Sequence, residues 1–215
     1  MRLCGVDEAG RGCIIGPLVM CAVCVESEDF LKHLGVKDSK LLSPARRAEI
    51  AKALSENVEF RIVRAEPCEI DAFLFSSDGS QNLNWLEAEK TVELIRELRP
   101  KRAFIDCPST NPSSYKSFIR ERLDFPVDLI VEHKADANYL TAAAASILAK
   151  VERDRIIDQI KADVGVDFGS GYLSDPKTAS FLKDFWQEHP GIFRQSWAPY
   201  RKLKLSKLQR SLGDF

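Results

Sequence analysis

The segment Gly5–Gly12 reads GVDEAGRG, in which two adjacent carboxylates run into a glycine-arginine-glycine turn. Because successive strand residues face opposite sides of a sheet, Asp7 and Glu8 can converge only where the strand ends and the backbone turns. Glycine permits positive φ and a close approach to a ligand, and Arg11 offers a planar donor fork that suits phosphate. The segment predicts a metal and phosphate site, with a hydrated acidic strand end beside a plain turn as the alternative.

Length and composition limit the class of protein. The 215 residues suffice for the core of one full domain with a small appendage. No apolar run approaches the roughly 20 residues that span a bilayer, and the chain begins with a polar-ended strand rather than a signal segment. We therefore expect a soluble, cytoplasmic protein that does not bind membranes. We also expect it to be a monomer.

The six cysteines lie mostly in apolar stretches: Cys4, Cys13, Cys21, Cys24, Cys68 and Cys107. In a chain of this length, that placement favours reduced, buried thiols over a disulfide framework. Cys21 and Cys24 have CxxC spacing, but the second pair that a structural zinc site needs is missing.

Charge is segregated although the formal net charge is only −1. No acid occurs between Glu188 and Asp214, an interval that carries Arg194, Arg201, Lys202, Lys204, Lys207 and Arg210. Such a basic C-terminal arm can follow a phosphate backbone, and a solvated helix face is the alternative interpretation.

Strand and helix patterns alternate along most of the chain. Leu3–Val6 and Ile14–Val25 predict a hairpin around the glycine turn. The segments that follow predict, in order, a helix opened by Ser43 and Pro44, strand Val58–Ala65, a helix through Trp85 and Ile95, strand Arg102–Ile105, helix Ser113–Arg122, strand Val127–Val131 and helix Ala137–Lys161.

This order predicts an α/β fold, a mixed sheet flanked by helices. We expect a catalytic domain over residues 1–170 and a small helical C-terminal extension over 171–208. The extension contains helices Thr178–Glu188 and Tyr200–Arg210. Residues 209–215 are expected to form a flexible tail.

Two further acids follow strands as Asp7 does. Asp106 ends the strand Arg102–Ile105, and Asp136 stands at the mouth of the alanine-rich helix, where an ordinary N-cap is the alternative. Ligands bind outside the carboxyl ends of strands in such sheets, so the four acids can meet at one edge. Carboxylates held together repel one another and bind hard divalent cations; a pair of Mg²⁺ ions would support phosphodiester hydrolysis.

The order of several motifs resembles the type 2 ribonucleases H, the ribonuclease HII family, and archaeal members more than bacterial ones. The resemblance covers nearly the whole chain. The segments that carry it are GVDEAGRG (5–12), GPLV (16–19), VKDSKL (36–41), FIDCP (104–108), EHKADANY (132–139), AAAASILAKVERD (142–154) and GSGYLSDP (169–176).

The resemblance implies a ribonuclease H-like fold in which Asp7, Glu8, Asp106 and Asp136 bind two Mg²⁺ or Mn²⁺ ions. It also implies that the turn Gly10-Arg11-Gly12 recognises the 2′-hydroxyl and backbone of a ribonucleotide. Tyr172 matches the tyrosine that stacks on the next deoxyribose.

Other residues match positions near the nucleic-acid backbone: Lys37, Ser39 and Lys40. Ser146 and Lys150 share one helix face, which favours a phosphate contact over a plain solvated face. For His133 the sequence leaves a hydrogen-bonded structural role and a catalytic role open. Gln209, Leu212 and Phe215 have the spacing of peptides that dock on the replication sliding clamp.

The implied activity is endonucleolytic hydrolysis of the RNA strand of RNA/DNA hybrids and incision 5′ of ribonucleotides embedded in duplex DNA. Two alternatives remain at this point. A DNA nuclease of the same fold, such as a resolvase, would use the acids but gives no reason for pairing the glycine turn with Tyr172. A non-catalytic hybrid-binding adaptor would be favoured only if the acids were incomplete.

Overall fold

The computed structural model describes residues 1–37, 39, 42–75 and 82–213, with side chains to residue 207. The elements in chain order are β1 (Leu3–Ala9), β2 (Leu18–Val25), α1 (Asp29–Leu34), α2 (Pro44–Asn57), β3 (Glu59–Ala65), α3 (Pro67–Phe75), α4 (Leu83–Leu98), β4 (Arg102–Asp106), α5 (Pro112–Glu121), β5 (Asp128–Glu132), α6 (Ala135–Asn138), α7 (Leu140–Val164), α8 (Pro176–Phe185), a 3₁₀ turn (Pro190–Ile192) and α9 (Ala198–Gly213). Within these ranges, no helix is both long and apolar enough to cross a bilayer.

One five-stranded sheet has the order β3-β2-β1-β4-β5. β1 is antiparallel to β2 and parallel to β4, and β4 is parallel to β5. The pairing of β1 with β4 ends at Val6 and Ile105, whereas β1 continues beside β2 as far as Ala9. Asp7 and Asp106 are thus the first residues beyond the β1–β4 pairing, which puts two acids at the same end of neighbouring parallel strands.

The chain forms two compact units, and neither is a single stretch of sequence. The sheet unit comprises Met1–Ala9, Val19–Arg64 and Leu83–Arg153. The helical unit comprises Gly10–Leu18, Ala65–Asn82 and Asp154–Phe215. This division differs from the sequence-based boundary at residue 170, because the glycine turn belongs to the helical unit.

The core of the sheet unit depends on a close approach of α7 to β1. A Cβ atom on Gly5 would lie 2.0 Å from the carbonyl carbon of Thr141 and 2.1 Å from the nitrogen of Ala142. The alanines of α7, Ala142–Ala145, are fully buried. Small side chains on the helix and no side chain on the strand let the two backbones come this near, which explains the alanine-rich sequence.

The helical unit has its own hydrophobic core, formed by Ile14, Ile15, Ile157, Phe168, Phe181, Leu182, Phe193 and Tyr200. The amide of Ile14 donates to the carbonyl of Gly171 at 2.9 Å, and the amide of Arg194 donates to the carbonyl of Ile14 at 2.9 Å. The short segment after the glycine turn is therefore held by two distant parts of the C-terminal sequence.

Most predicted elements are present, with informative differences at their ends. Ser43 caps α2 by accepting a hydrogen bond from the amide of Arg46, as its sequence predicts. β1 reaches Ala9, so Asp7 and Glu8 lie within the strand rather than after it. α9 continues to Gly213, past the predicted end at Arg210, because Gly213 is the first residue there that disfavours helix.

Three elements were not predicted: α1, α3 and the 3₁₀ turn. The predicted helix Ala137–Lys161 is two helices, since α6 ends at Asn138 and α7 begins at Leu140. Five cysteines are buried free thiols, as expected, but Cys68 is exposed.

Candidate active site

Three of the predicted acids form a cluster at the carboxyl end of β1 and β4. One carboxylate oxygen from each of Asp7, Glu8 and Asp106 lies within 4.8 Å of the others. The amide of Glu8 donates to Oδ1 of Asp7 at 2.7 Å, which fixes the Asp7 carboxylate against its own backbone. The β1–β4 pairing ends at Val6 and Ile105, directly before Asp7 and Asp106.

The Asp7 carboxyl is buried and its pKa is strongly raised. Only 6% of its surface is exposed. Burial raises its pKa well above the usual value, and the charges of Glu8 and Asp106 raise it further. Hydrogen bonds from Ser146 and from the Glu8 amide act in the opposite direction. The site therefore concentrates negative charge where solvent cannot disperse it, which is an environment that favours binding of a cation.

Asp136 is not among the three acids that lie within that distance of one another. It is buried in the first turn of α6, and Oδ1 of Asp106 accepts a hydrogen bond from the amide of Ala135 at 2.8 Å. Asp136 is not the N-cap of the long helix, the alternative left open by the sequence, because α7 begins at Leu140. The Asp106 bond instead ties the start of α6 to the acid cluster.

Two serines are linked to the Asp7 carboxylate, Ser146 directly and Ser39 through Ser146. The Ser146 hydroxyl bonds to Asp7, and its oxygen lies 3.0 Å from that of Ser39. Both serines are buried. The structure thus gives Ser146 a partner that the sequence did not identify, and phosphate contact by Ser39 and Ser146 stays a prediction.

Replacing Ser146 by alanine is expected to weaken divalent-metal binding roughly tenfold, since removing an outer-shell partner typically costs 10–100-fold in affinity. In the native protein the hydrogen bond from Ser146 lowers the pKa of Asp7. Without that bond the Asp7 carboxyl is protonated more readily, and a protonated carboxyl is a poorer metal ligand. Titrating activity and melting temperature with Mg²⁺ measures the effect. Ser117→Ala, on the exposed side of α5, is the matched control; an unchanged metal titration for Ser146→Ala would refute the assignment.

The other residues of the sheet unit that are predicted to contact substrate differ in their exposure. Lys37 is exposed and Lys150 is half-buried on α7. Lys40 lies outside the described residues. His133 donates from Nδ1 to the carbonyl of Cys107 at 2.9 Å, a contact that a structural histidine would make.

The glycine turn and Tyr172 come together within the helical unit. Gly10 has φ of 82°, a conformation that favours glycine, and Gly12 is exposed. A Cβ on Gly12 would lie 3.9 Å from Cε1 of Tyr172, so the ring borders the turn. The Thr178 hydroxyl accepts from the amide of Gly171 and donates to the carbonyl of Phe168, which holds the loop bearing Tyr172.

The expected basic arm is only partly exposed. Arg201, Lys202, Lys204 and Lys207 are exposed along α9. Arg194, by contrast, is fully buried, so its assignment to the arm is wrong. Its apolar neighbours Ile192, Phe193 and Trp197 were the only sequence signal of burial. The side chains of Gln209, Leu212 and Phe215 lie outside those described.

Residues 4–200 match the family model described as Ribonuclease HII. The chain belongs to the ribonuclease HII family. A ribonuclease HII of Methanocella arvoryzae is 41% identical over 216 residues, covering 98% of this chain and 95% of the relative.

Solved structures agree with this membership. Ribonuclease H2 from Pyrococcus horikoshii has a TM-score of 0.86 at 38% identity and covers 96% of this chain and 98% of its own. A ribonuclease HII from Archaeoglobus fulgidus, solved as a complex with PCNA, has a TM-score of 0.84 at 39% identity, with coverage of 92% and 95%. The predicted ribonuclease H-like fold is confirmed.

As a member of this family, the protein is an endonuclease, a phosphodiester hydrolase that acts on RNA/DNA hybrids and depends on divalent metal. The resolvase and adaptor alternatives are not supported by this membership. Among the described residues, the carboxylate cluster is the group of side chains that could hold such a metal ion.

Proposed function

We propose that this protein incises duplex DNA on the 5′ side of embedded ribonucleotides and leaves 3′-hydroxyl and 5′-phosphate ends. We also propose that two Mg²⁺ or Mn²⁺ ions serve the reaction. The observation that carries the proposal is the cluster of Asp7, Glu8 and Asp106, with Asp136 in the helix turn tied to it.

The donor set fits hard divalent cations. The cluster offers carboxylate oxygens, which Mg²⁺ and Mn²⁺ prefer over softer ligands. Burial, and then the negative charges of Glu8 and Asp106, raise the pKa of Asp7, and a bound cation would favour its ionised form. Asp7, Glu8 and Asp106 would hold one ion, and Asp136 would extend the set to the second. Bound ions of this kind activate water and stabilise the departing 3′-oxygen.

The protein groups prepare this site before substrate arrives. The Ser146 hydroxyl and the Glu8 amide stabilise the ionised form of Asp7, and the Ala135 amide orients Asp106. Such fixed hydrogen bonds remove the need to reorganise the ligands during the reaction. Lys150, one helical turn beyond Ser146, is suited to a phosphate of the substrate.

Recognition of the ribonucleotide would fall to the turn Gly10–Gly12 and to Tyr172. A 2′-hydroxyl both donates and accepts hydrogen bonds and is absent from DNA, so exposed backbone groups of a glycine turn can distinguish the two sugars. The Tyr172 ring borders Gly12 and offers a flat apolar surface for the adjoining deoxyribose. In the chain, the turn follows Glu8 after a single residue.

A duplex with one ribonucleotide tests this function directly. We expect cleavage in Mg²⁺ or Mn²⁺ at the phosphodiester immediately 5′ of the ribonucleotide, shown by mapping the labelled products on a sequencing gel. The same duplex made entirely of DNA should stay intact. Cleavage of the all-DNA duplex, or no incision at the single ribonucleotide, would contradict the proposal.

We propose further that the C-terminal residues Gln209, Leu212 and Phe215 dock on the sliding clamp. The support is their spacing and the relative from Archaeoglobus fulgidus that was solved with PCNA. Phe215→Ala should weaken binding to the clamp at least tenfold in a titration, since buried aromatic anchors dominate such interfaces. Leu205→Ala, on the exposed face of α9, serves as control, and equal affinities for both variants would exclude the motif.

A further inference from the structure

We propose that Arg194 is a positioning residue for ribonucleotide recognition: its buried guanidinium sets the turn Gly10–Gly12 so that the amide groups of Arg11 and Gly12 face the substrate. The inference rests on the proposed role of this turn in reading the 2′-hydroxyl. The proposal gives a role to a buried arginine that belongs neither to the acidic cluster nor to the exposed C-terminal arm.

The guanidinium of Arg194 bonds to carbonyls along the turn and just after it. Nη2 donates to the carbonyl of Gly10 at 2.6 Å, Nη1 to the carbonyl of Arg11 at 2.7 Å, and Nε to the carbonyl of Gly16 at 3.0 Å. Nη2 also lies 3.0 Å from Sγ of Cys13. The planar donor fork of arginine can reach these acceptors at once, whereas the single ammonium of lysine cannot hold the same spread.

These bonds determine the direction of the neighbouring amide groups. In a trans peptide the C=O and N–H groups point in opposite directions, and the described chain has no cis peptide bond. Because the carbonyls of Gly10 and Arg11 point at Arg194, the N–H groups of Arg11 and Gly12 point away from it. Gly12 is exposed, so these donors are directed toward the outside of the turn.

Arg194 is itself fixed by contacts that leave it little freedom. Its own amide donates to the carbonyl of Ile14 at 2.9 Å, and its guanidinium lies 4.9 Å from the ring centre of Trp197. The next two residues are held by Asp71, which accepts from the amides of Gln195 and Ser196 at 2.8 Å each and from the Ser196 hydroxyl at 2.6 Å. A charge placed so rigidly can fix a glycine-containing turn that would otherwise sample many conformations.

A binding experiment separates this role from a purely structural one. In an Asp7→Asn background, which prevents turnover, the dissociation constant is measured for a duplex with one ribonucleotide and for the identical all-DNA duplex. The dissociation constant for the all-DNA duplex divided by that for the ribonucleotide duplex is a ratio that reports recognition of the 2′-hydroxyl. Arg194→Met should reduce this ratio about tenfold, the effect of about one lost hydrogen bond, while affinity for all-DNA duplex changes less than about threefold. Arg194→Lys should recover only part of the ratio.

The control is Lys183→Met, which removes one exposed positive charge from α8 of the same unit and should leave the ratio unchanged. A folded Arg194→Met protein with the original ratio would overturn the inference, as would an equal loss of affinity for both duplexes. If Arg194→Met does not fold, Arg194→Lys decides by the same criterion. Absence of any ribonucleotide preference with Arg194 intact would instead refute the proposed role of the turn.

Discussion

Replacing Asp7 by asparagine is expected to reduce cleavage by roughly 10³-fold or more while making the metal-free protein more stable. Asp7 belongs to the three-carboxylate cluster, and loss of a ligand to a catalytic ion removes several kcal/mol of transition-state stabilisation. Asparagine keeps nearly the same volume, so the packing around this buried position should survive.

The gain in stability follows from the direction of the Asp7 pKa. Burial and the charges of Glu8 and Asp106 raise it, which means that the ionised carboxylate destabilises the folded state at neutral pH. A neutral amide removes that repulsion. For a chain of this size, about 1 kcal/mol raises the melting temperature by roughly 2–4 °C, and we expect a change of that order in EDTA.

Thermal melts with and without Mg²⁺, together with initial rates on a hybrid substrate, measure both effects. Mg²⁺ should raise the melting temperature of the wild-type protein more than that of Asp7→Asn, because ligands that bind only the native state stabilise it. Asp124→Asn, a substitution at an exposed position of the sheet unit, should change neither property. Full activity of Asp7→Asn would show that the carboxylate cluster is not the catalytic site.

The substitution Gly5→Ala is expected to have the largest effect on folding. Its new methyl group would overlap main-chain atoms of α7, the carbonyl group of Thr141 and the nitrogen of Ala142, at 2.0–2.4 Å. Neither backbone can yield without displacing the buried alanines behind it. We expect a loss of more than about 3 kcal/mol in the free energy of unfolding, at the severe end of overpacking.

Chemical denaturation measures this loss, and soluble expression is a first indication of it. Gly191→Ala is the matched control, since nothing lies within 4 Å of a Cβ at that position. It should shift stability by less than about 0.5 kcal/mol, as surface substitutions usually do. A native-like denaturation midpoint for Gly5→Ala would show that the strand and helix are not in such close contact.

The sequence predicts the elements whose signals are local. Ser43 and Pro44 mark the start of α2, and acids near the carboxyl ends of β1 and β4 mark the sheet edge where three of the four predicted acids, Asp7, Glu8 and Asp106, meet. These predictions succeed because capping and strand-end placement depend on a few neighbouring residues.

Features that depend on distant partners could not be predicted in this way. No local pattern shows that Ser146 bonds to Asp7 or that Asp71 holds Gln195 and Ser196. Nor does any local pattern show that Arg194 is buried and bonds to Gly10, which lies 184 residues earlier. The same limit applies to the split between α6 and α7, where the chain departs from the helical conformation between two segments that are each compatible with helix.

Each of the two units is built from three separate stretches of sequence, which limits where the chain can be truncated. Ile14 and Ile15, near the amino terminus, share one core with Phe181 and Phe193. A fragment ending at residue 170 would leave these N-terminal side chains without Phe181, Phe193 and Tyr200, which belong to the same core. The C-terminal helices are thus not a detachable module, because the segment after the amino-terminal turn shares its core with them.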